Sequence, residues 1–329
     1  MTIRNAFLAA TAALTLSAAG AIAQDTPIGP KWWPSVHGAD DQSGSSNYVT
    51  PDKVIGAAAL IKEGKAIKLG RDYEAAMPLF GSRVFALRIP GAPTGGTFGD
   101  NKVVWNDEFL ATEIGQVGTQ FDGLGHIGVR VNGEADGSGI RYYNGVTGSE
   151  IASSYGLKKL GVEHVKPFFT TAHLVNVAAI KDGPMEAGQE ISVADVEAAL
   201  AKDGKSGADI KQGDVVIFHT GWGRHWIKDN ATFNSGEPGI GIEVAEWLAE
   251  KKIALVGADT WATEVVPNPD SKLAFPVHQI LLVKNGIFNH ENLATERLVE
   301  AGVSTFAYIY VPMPIVGATG SAGSPIAAW

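Results

Sequence analysis

Four short apolar runs restrict the architectures open to this chain. Residues 174–177, 215–219, 253–256 and 306–311 are nearly free of charge and lack the polar alternation of a strand with one face in water, so they read as strands covered on both sides. Between them, residues 193–202 and 243–251 read as helices. Ser192-Val193-Ala194-Asp195 is a capping-box start with Asp in the place of Glu, and Lys251-Lys252 closes the second helix where its dipole favours positive charge. Thr50-Pro51-Asp52-Lys53 opens a further helix, with Thr50 as N-cap, carried by Val54, Ala57, Ala58, Leu60 and Ile61 to Gly64. Residues 85–89 read as a strand. Residues 91–99, rich in Gly, Pro and Thr and without the Gly-Lys-Ser/Thr ending of a phosphate loop, read as a mobile surface loop. The mixture is α/β without repeats, and no shift in composition divides it, so residues 24–329 are expected to form one domain.

Residues 1–23 carry Arg4, an apolar run over 6–19 and the ending Ala21-Ile22-Ala23, the pattern of an export signal cleaved after Ala23. That predicts a periplasmic protein. There is no cysteine, which excludes a thiolate nucleophile and cysteine-ligated metal, while the chain is long enough to bury a core without disulfides. The net charge of −9, with lysines and arginines scattered, argues against a nucleic-acid surface or a basic membrane patch and leaves a small molecule as the expected partner.

Residues 116–126 read Gln-Val-Gly-Thr-Gln-Phe-Asp-Gly-Leu-Gly-His. Alternate side chains of an extended segment share a face, so Gln116, Gln120, Asp122 and His126 are set to converge as a strand-built metal site, although amides are poorer ligands than imidazole. Towards the C-terminus, His278 and Glu291 are placed to project from successive elements and meet Asp122. One imidazole and two carboxylates suit Zn²⁺ or Mn²⁺, which acidifies bound water; by spacing alone, an exposed His-Glu pair at an element boundary fits as well. His219 closes a strand just before Thr220-Gly221-Trp222, at the end where α/β proteins place their sites. His37, His164, His173 and His225 have no acid at ligand spacing and read as structural.

These residues resemble the metal-dependent cyclase family of hydrolases, of the kynurenine formamidase and isatin hydrolase type, whose signature is His-x-Gly-Thr-His-x-Asp-x-Pro-x-His. Gln116 and Gln120 stand where two signature histidines are expected, and Leu124 replaces the proline. Further landmarks follow in order: Ala39-Asp40-Asp41-Gln42, Asn47-Tyr48-Val49-Thr50-Pro51, Thr220-Gly221-Trp222, Gly257-Ala258-Asp259-Thr260, His278 with Leu281-Leu282, Glu291-Asn292-Leu293 and Gly323-Ser324-Pro325.

The resemblance implies a swivelling β/β/α fold with a mixed sheet core and flanking helices, and hydrolysis of an amide, lactam or related acyl bond, lactones included. It implies a metal set of Asp122, His278 and Glu291, with Gln116 and Gln120 as weaker members, holding one Zn or Mn ion in place of two. His126 matches the last signature histidine, as general base or ligand. Trp33, Phe121, His219 and Trp222, with Trp32, are expected to line the pocket of a planar or aromatic substrate. A homo-oligomer, dimer or tetramer, is expected, with the arm around Trp32-Trp33 as interface. The two glutamines leave a rival: a periplasmic small-molecule binding protein that kept the fold and lost its catalysis.

Overall fold

The apolar runs enter one nine-stranded mixed sheet in the computed structural model, which describes residues 26–132 and 137–329; the expected signal segment lies outside them. In chain order the strands are β1 (Ala66–Lys68), β2 (Gln120–Asp122), β3 (Phe168–Asn176), β4 (Val215–His219), β5 (Leu255–Ala258), β6 (Phe288–Glu291), β7 (Thr305–Tyr310), β8 (Gly320–Ala322) and β9 (Ile326–Ala328). Across the sheet they run β1-β9-β7-β3-β4-β5-β6-β2-β8. The centre, β3 to β6, is parallel, and both flanks are antiparallel.

Central strands need cover on both faces, and they have it. On one side Leu174, Ile217, Leu255, Phe288 and Phe306 join Phe121 and Phe168 in a buried cluster. On the other, Val175, Val216, Phe218 and Val256 pack against Val196 and Leu200 of helix α2 (Val193–Lys202) and Val244 and Leu248 of α3 (Ile242–Glu250). The preceding helix, α1 (Pro51–Ala58), has Thr50 as its N-cap, and the capping box at Ser192 forms as expected, with Ser192 N donating to Asp195 Oδ2 at 3.0 Å. Helix α1 stops at Ala58, short of Gly64. Strand β3 starts six residues before Leu174, because its early polar position is satisfied in the interior: Thr170 is fully buried and its hydroxyl donates to the Gly213 carbonyl at 2.7 Å.

The Gly/Pro/Thr segment is ordered structure, contrary to the loop expectation. Gly95–Phe98 pairs with Val103–Trp105, and this hairpin extends from a second pairing of Phe85–Arg88 with Phe109–Thr112. Glycine is required there by contact: a Cβ on Gly95 would lie 2.2 Å from the Trp105 ring. The resulting arm leaves Leu87, Ile89, Phe98, Val104 and Phe109 each more than half exposed. Among the described residues, no helix is long and apolar enough to cross a membrane.

Candidate metal centre

Strand parity builds the floor of the site. β2 pairs antiparallel with β6, setting Asp122 opposite Asn289 and Gln120 opposite Glu291. These four polar side chains share one face of the pair. The intervening residues of β2 and β6 turn the other way: Phe121 stacks on Phe288 at 5.0 Å and meets the His290 ring edge-on at 5.9 Å, deep in the core. The expectation that Phe121 lines a substrate pocket therefore does not match its placement, because the alternation that aims Asp122 inward aims Phe121 away.

Only Gln120–Asp122 is extended; turns on each side bring in the two outer members of the segment. Gln116 N bonds to the Glu113 carbonyl at 2.8 Å, and His126 N to the Gly123 carbonyl at 3.0 Å. The turn before β2 is pinned to β6's end, since Thr119 Oγ1 donates to Asn292 O at 2.8 Å while Asn292 Nδ2 donates to Gly118 O at 2.7 Å. Gly118 has φ +63 and a Cβ there would lie 2.6 Å from the Tyr73 ring, so the turn needs a residue without a side chain.

His278 arrives on a helical turn, Pro276–His278, that runs into a π-helical segment, Gln279–Lys284. Glu264, itself buried, caps that turn: it accepts from Val277 N at 3.1 Å, His278 N at 3.0 Å and His278 Nδ1 at 2.5 Å. With Nδ1 committed, His278 Nε2 faces Asp122 Oδ2 at 3.5 Å and Glu291 Oε1 at 3.3 Å. One ligand atom from each of Asp122, His278 and Glu291 lies within 4.8 Å of the others, and all three residues are buried. His126 Nε2 stands 3.9 Å from Asp122 Oδ1.

Asn289 and Glu264, not singled out by the sequence, complete the cluster. Asn289 Nδ2 donates to Glu291 Oε1 at 2.7 Å, and Thr263 Oγ1 donates to Asn289 Oδ1 at 2.7 Å, which fixes the end of the amide that faces the acids. Both glutamines act as donors: Gln116 Nε2 to Asp122 Oδ1 at 3.0 Å and Gln120 Nε2 to Glu291 Oε2 at 2.6 Å. The carbonyl of Gln116 is taken by Arg83 Nη2 at 3.3 Å. The two amides thus orient the carboxylates of Asp122 and Glu291.

The electrostatics follow from crowding acids in a dry pocket. Burial alone would raise Asp122, but His126, His278 and the Gln116 amide outweigh it and hold the carboxyl at about 2. Burial and then the Asp122 charge push Glu291 up to about 8. Burial would lower His278, yet its bonds to Asp122, Glu264 and Glu291 raise it well above the ordinary imidazole value. Burial is also the main cause that lowers His126, against the pull of Asp122. A divalent cation fits this donor set: it would replace the protons that the buried acids and His278 otherwise share, and the Glu264–His278 bond is the usual means of orienting a metal-binding imidazole.

Above the floor, Phe80, Trp261, Phe275, Ile127, Arg83 and His126 enclose a cavity of about 200 Å³ that also touches Gln116, Gln120, His278 and Glu291. Phe80 stacks on Trp261 at 4.4 Å. The aromatic wall is therefore made by residues from separate loops and not by the tryptophans expected. Lys31 and Arg141 each lie over the Trp33 ring, at 5.2 and 5.8 Å, and Trp32 Nε1 donates to Tyr142 O at 3.2 Å. Trp222 is buried in a satellite cluster with Met77, Val117, Trp226 and Phe233. His219 binds Thr295 Oγ1 at 2.7 Å and lines a different cavity with Asp259, Arg224 and Glu296; β4, which carries it, is separated from β6 by β5.

Residues 48–265, well over half of the chain, match a family model described as "Putative cyclase". The chain belongs to the cyclase family. A solved structure described as a novel cyclase is 32% identical, with a TM-score of 0.76 over 89% of this chain and 98% of its own. Isatin hydrolase A from Ralstonia solanacearum is 19% identical, with a TM-score of 0.57 over 84% of this chain and 97% of its own. An isatin hydrolase bound to the product analogue thioisatinate is 20% identical, with a TM-score of 0.56 over 83% and 95%. At those identities the isatin hydrolases share the fold, and the expected mixed α/β cyclase architecture holds. No curated protein matches the chain.

Proposed function

We propose that this cyclase-family protein is a metal-dependent hydrolase of an amide, lactam or related acyl bond, lactones included, in a planar small molecule. The observation that carries the reading is the buried convergence of Asp122, His278 and Glu291, with Glu264 aiming the free nitrogen of His278 at the two acids. These three residues would hold one divalent ion, Zn²⁺ or Mn²⁺. When bound, such an ion supplies a Lewis acid for the substrate carbonyl and an acidified water.

The chain's own residues then divide the remaining work. His126, at the cavity wall, accepts the proton of the attacking water at its imidazole and returns it to the leaving nitrogen or oxygen. Gln116, Gln120 and Asn289 keep the carboxylates in one orientation through their amide N–H groups, so little reorganisation accompanies the reaction. Phe80, Trp261 and Phe275 supply flat surfaces against which a planar substrate displaces water.

Metal analysis of the purified protein should find close to one ion per chain, lost in Asp122→Ala together with turnover of aryl formamides, isatin-like lactams or lactones. Unchanged turnover in Asp122→Ala would sink the reading. The donor role of both glutamines favours a second reading, a small-molecule binding protein without catalysis; ligand binding with no turnover across that panel, metal added, would decide for it. The proposal includes a periplasmic location, supported by the export-signal pattern, and a homo-oligomer, for which the exposed apolar arm with Leu87, Phe98 and Phe109 offers a surface in addition to the Trp32-Trp33 segment. Light scattering that reports a monomer would remove that last element.

A further inference from the structure

Arg83 brings the only guanidinium or ammonium group among the described residues that line the metal-centre cavity. Among the described residues it forms no ion pair with a carboxylate and makes one hydrogen bond, to the Gln116 carbonyl at 3.3 Å, while its guanidinium lies 5.6 Å over the Phe80 ring. Glu113, an acid near the base of the same hairpin, is turned to the backbone, accepting from Val84 N at 2.9 Å. A guanidinium carries five N–H donors in a planar fork that matches a carboxylate. Here most of that fork is uncommitted, at the edge of an aromatic stack formed by Phe80 and Trp261.

The position of the fork is informative. Gln116 joins Arg83 to Asp122, since its carbonyl accepts from Arg83 while its amide nitrogen donates to Asp122 at 3.0 Å. A single side-chain amide thus separates the guanidinium from the acidic floor. In that floor the charges of Asp122 and Glu291 are matched by one divalent ion, so an anionic group of a substrate needs a positive partner of its own elsewhere in the cavity.

We propose that Arg83 anchors a carboxylate of the substrate, and that the substrate class is a planar aryl amide or lactam bearing an acid group close to the scissile bond. The ring lies along Phe80, Trp261 and Phe275, the acyl carbon faces Asp122, His278 and Glu291, and the carboxylate takes the free N–H groups of Arg83. This specificity rests on the hydrolase reading, and its test separates the two. The probes are N-formylanthranilate and its neutral counterpart formanilide for turnover, and benzoate and benzamide for calorimetric binding, each with saturating Zn²⁺ or Mn²⁺.

Wild-type protein is expected to prefer N-formylanthranilate and to bind benzoate over benzamide. Arg83→Ala should reduce kcat/KM for the acid by about 10- to 100-fold, chiefly through KM, so that the preference over formanilide collapses, and Arg83→Lys should recover part of it. If Arg83 served only to hold Gln116, both substrates would lose equally, and that result overturns the proposal. Turnover with formanilide preferred by the wild type also overturns it while leaving the hydrolase reading intact. Benzoate binding that needs Arg83, without turnover of either formamide, upholds the anchor and defeats the hydrolase.

Discussion

Glu264 holds the imidazole of His278 through a 2.5 Å contact to Nδ1, and this one bond decides which nitrogen meets Asp122 and Glu291. The same carboxylate accepts the backbone N–H groups of Val277 and His278, so ring orientation and helix start are set together. Glu264→Gln keeps a side chain able to accept from the backbone but replaces the charged partner of Nδ1. Metal affinity, measured by competition with a chromogenic chelator, should fall about 10- to 100-fold while the far-ultraviolet spectrum is retained. An unchanged affinity would show that His278 is oriented by its backbone alone.

Much of this centre was readable from spacing, and the parts that were not have identifiable causes. Gln120 and Asp122 two apart, and Glu291 with Asn289 two before it, follow the period of a strand, and pairing of β2 with β6 brings the sets together. Phe121 reads as pocket wall because a planar substrate stacks on aromatic surfaces, although the period of the strand sends it to the core. Glu264 carried no signal, since it reaches His278 from fourteen positions away across an irregular segment. For Gln116 and Gln120 the sequence leaves open whether the amides ligate a metal, because which end of an amide faces an acid depends on partners such as Arg83, from a loop that no motif marks. The central strands and α2 were legible because burial on both faces and capping chemistry write themselves locally. The hairpin at Gly95 was not, because glycine signals a loop and here serves close contact with Trp105.

The contrast between Phe121 and Trp261 is open to measurement. Phe121 is fully buried among Phe168, Phe288 and Tyr310, so Phe121→Ala should cost about 3–5 kcal/mol of stability by urea unfolding. Trp261 lines the cavity, and Trp261→Ala should cost less stability and raise KM for a planar substrate about tenfold, the loss of one stacked aromatic surface. Equal effects of the two on KM would return Phe121 to the pocket wall.

His290 gives the fold a pH dependence of its own. The imidazole is fully buried, its Nδ1 is 2.6 Å from Tyr308 Oη, and its Nε2 has no hydrogen-bond partner among the described residues. Burial drives it down to about 3, against the pull of Asp122, from an ordinary 6.5. Because the unfolded chain then binds a proton that the native state refuses, this contribution is complete above pH 6.5 and is lost progressively as pH falls towards 3. By pH 5 the loss is about 2 kcal/mol. Urea midpoints of chelator-treated protein at pH 7 and pH 5 should show it, and His290→Gln, which keeps an acceptor for Tyr308 but does not titrate, should reduce the difference. The same slope in both proteins would assign the acid sensitivity elsewhere.

The two glutamines lead to a prediction about metal count. Gln116 and Gln120 aim N–H groups at Asp122 and Glu291, and rotating either amide to offer its oxygen would set carbonyl against carboxylate and leave an acid without its donor. For Gln116 the rotation would also cost the bond from Arg83. An imidazole at each position has a lone pair to give in place of a proton, and it is a stronger ligand for Zn²⁺ than an amide oxygen. Gln116→His combined with Gln120→His should therefore raise bound metal, read by elemental analysis after dialysis against Zn²⁺, from about one ion per chain towards about two, with the first ion still held by Asp122, His278 and Glu291. A ratio that stays at the wild-type value would mean that these positions do not face the ion, and that the amides are spent on holding the acids.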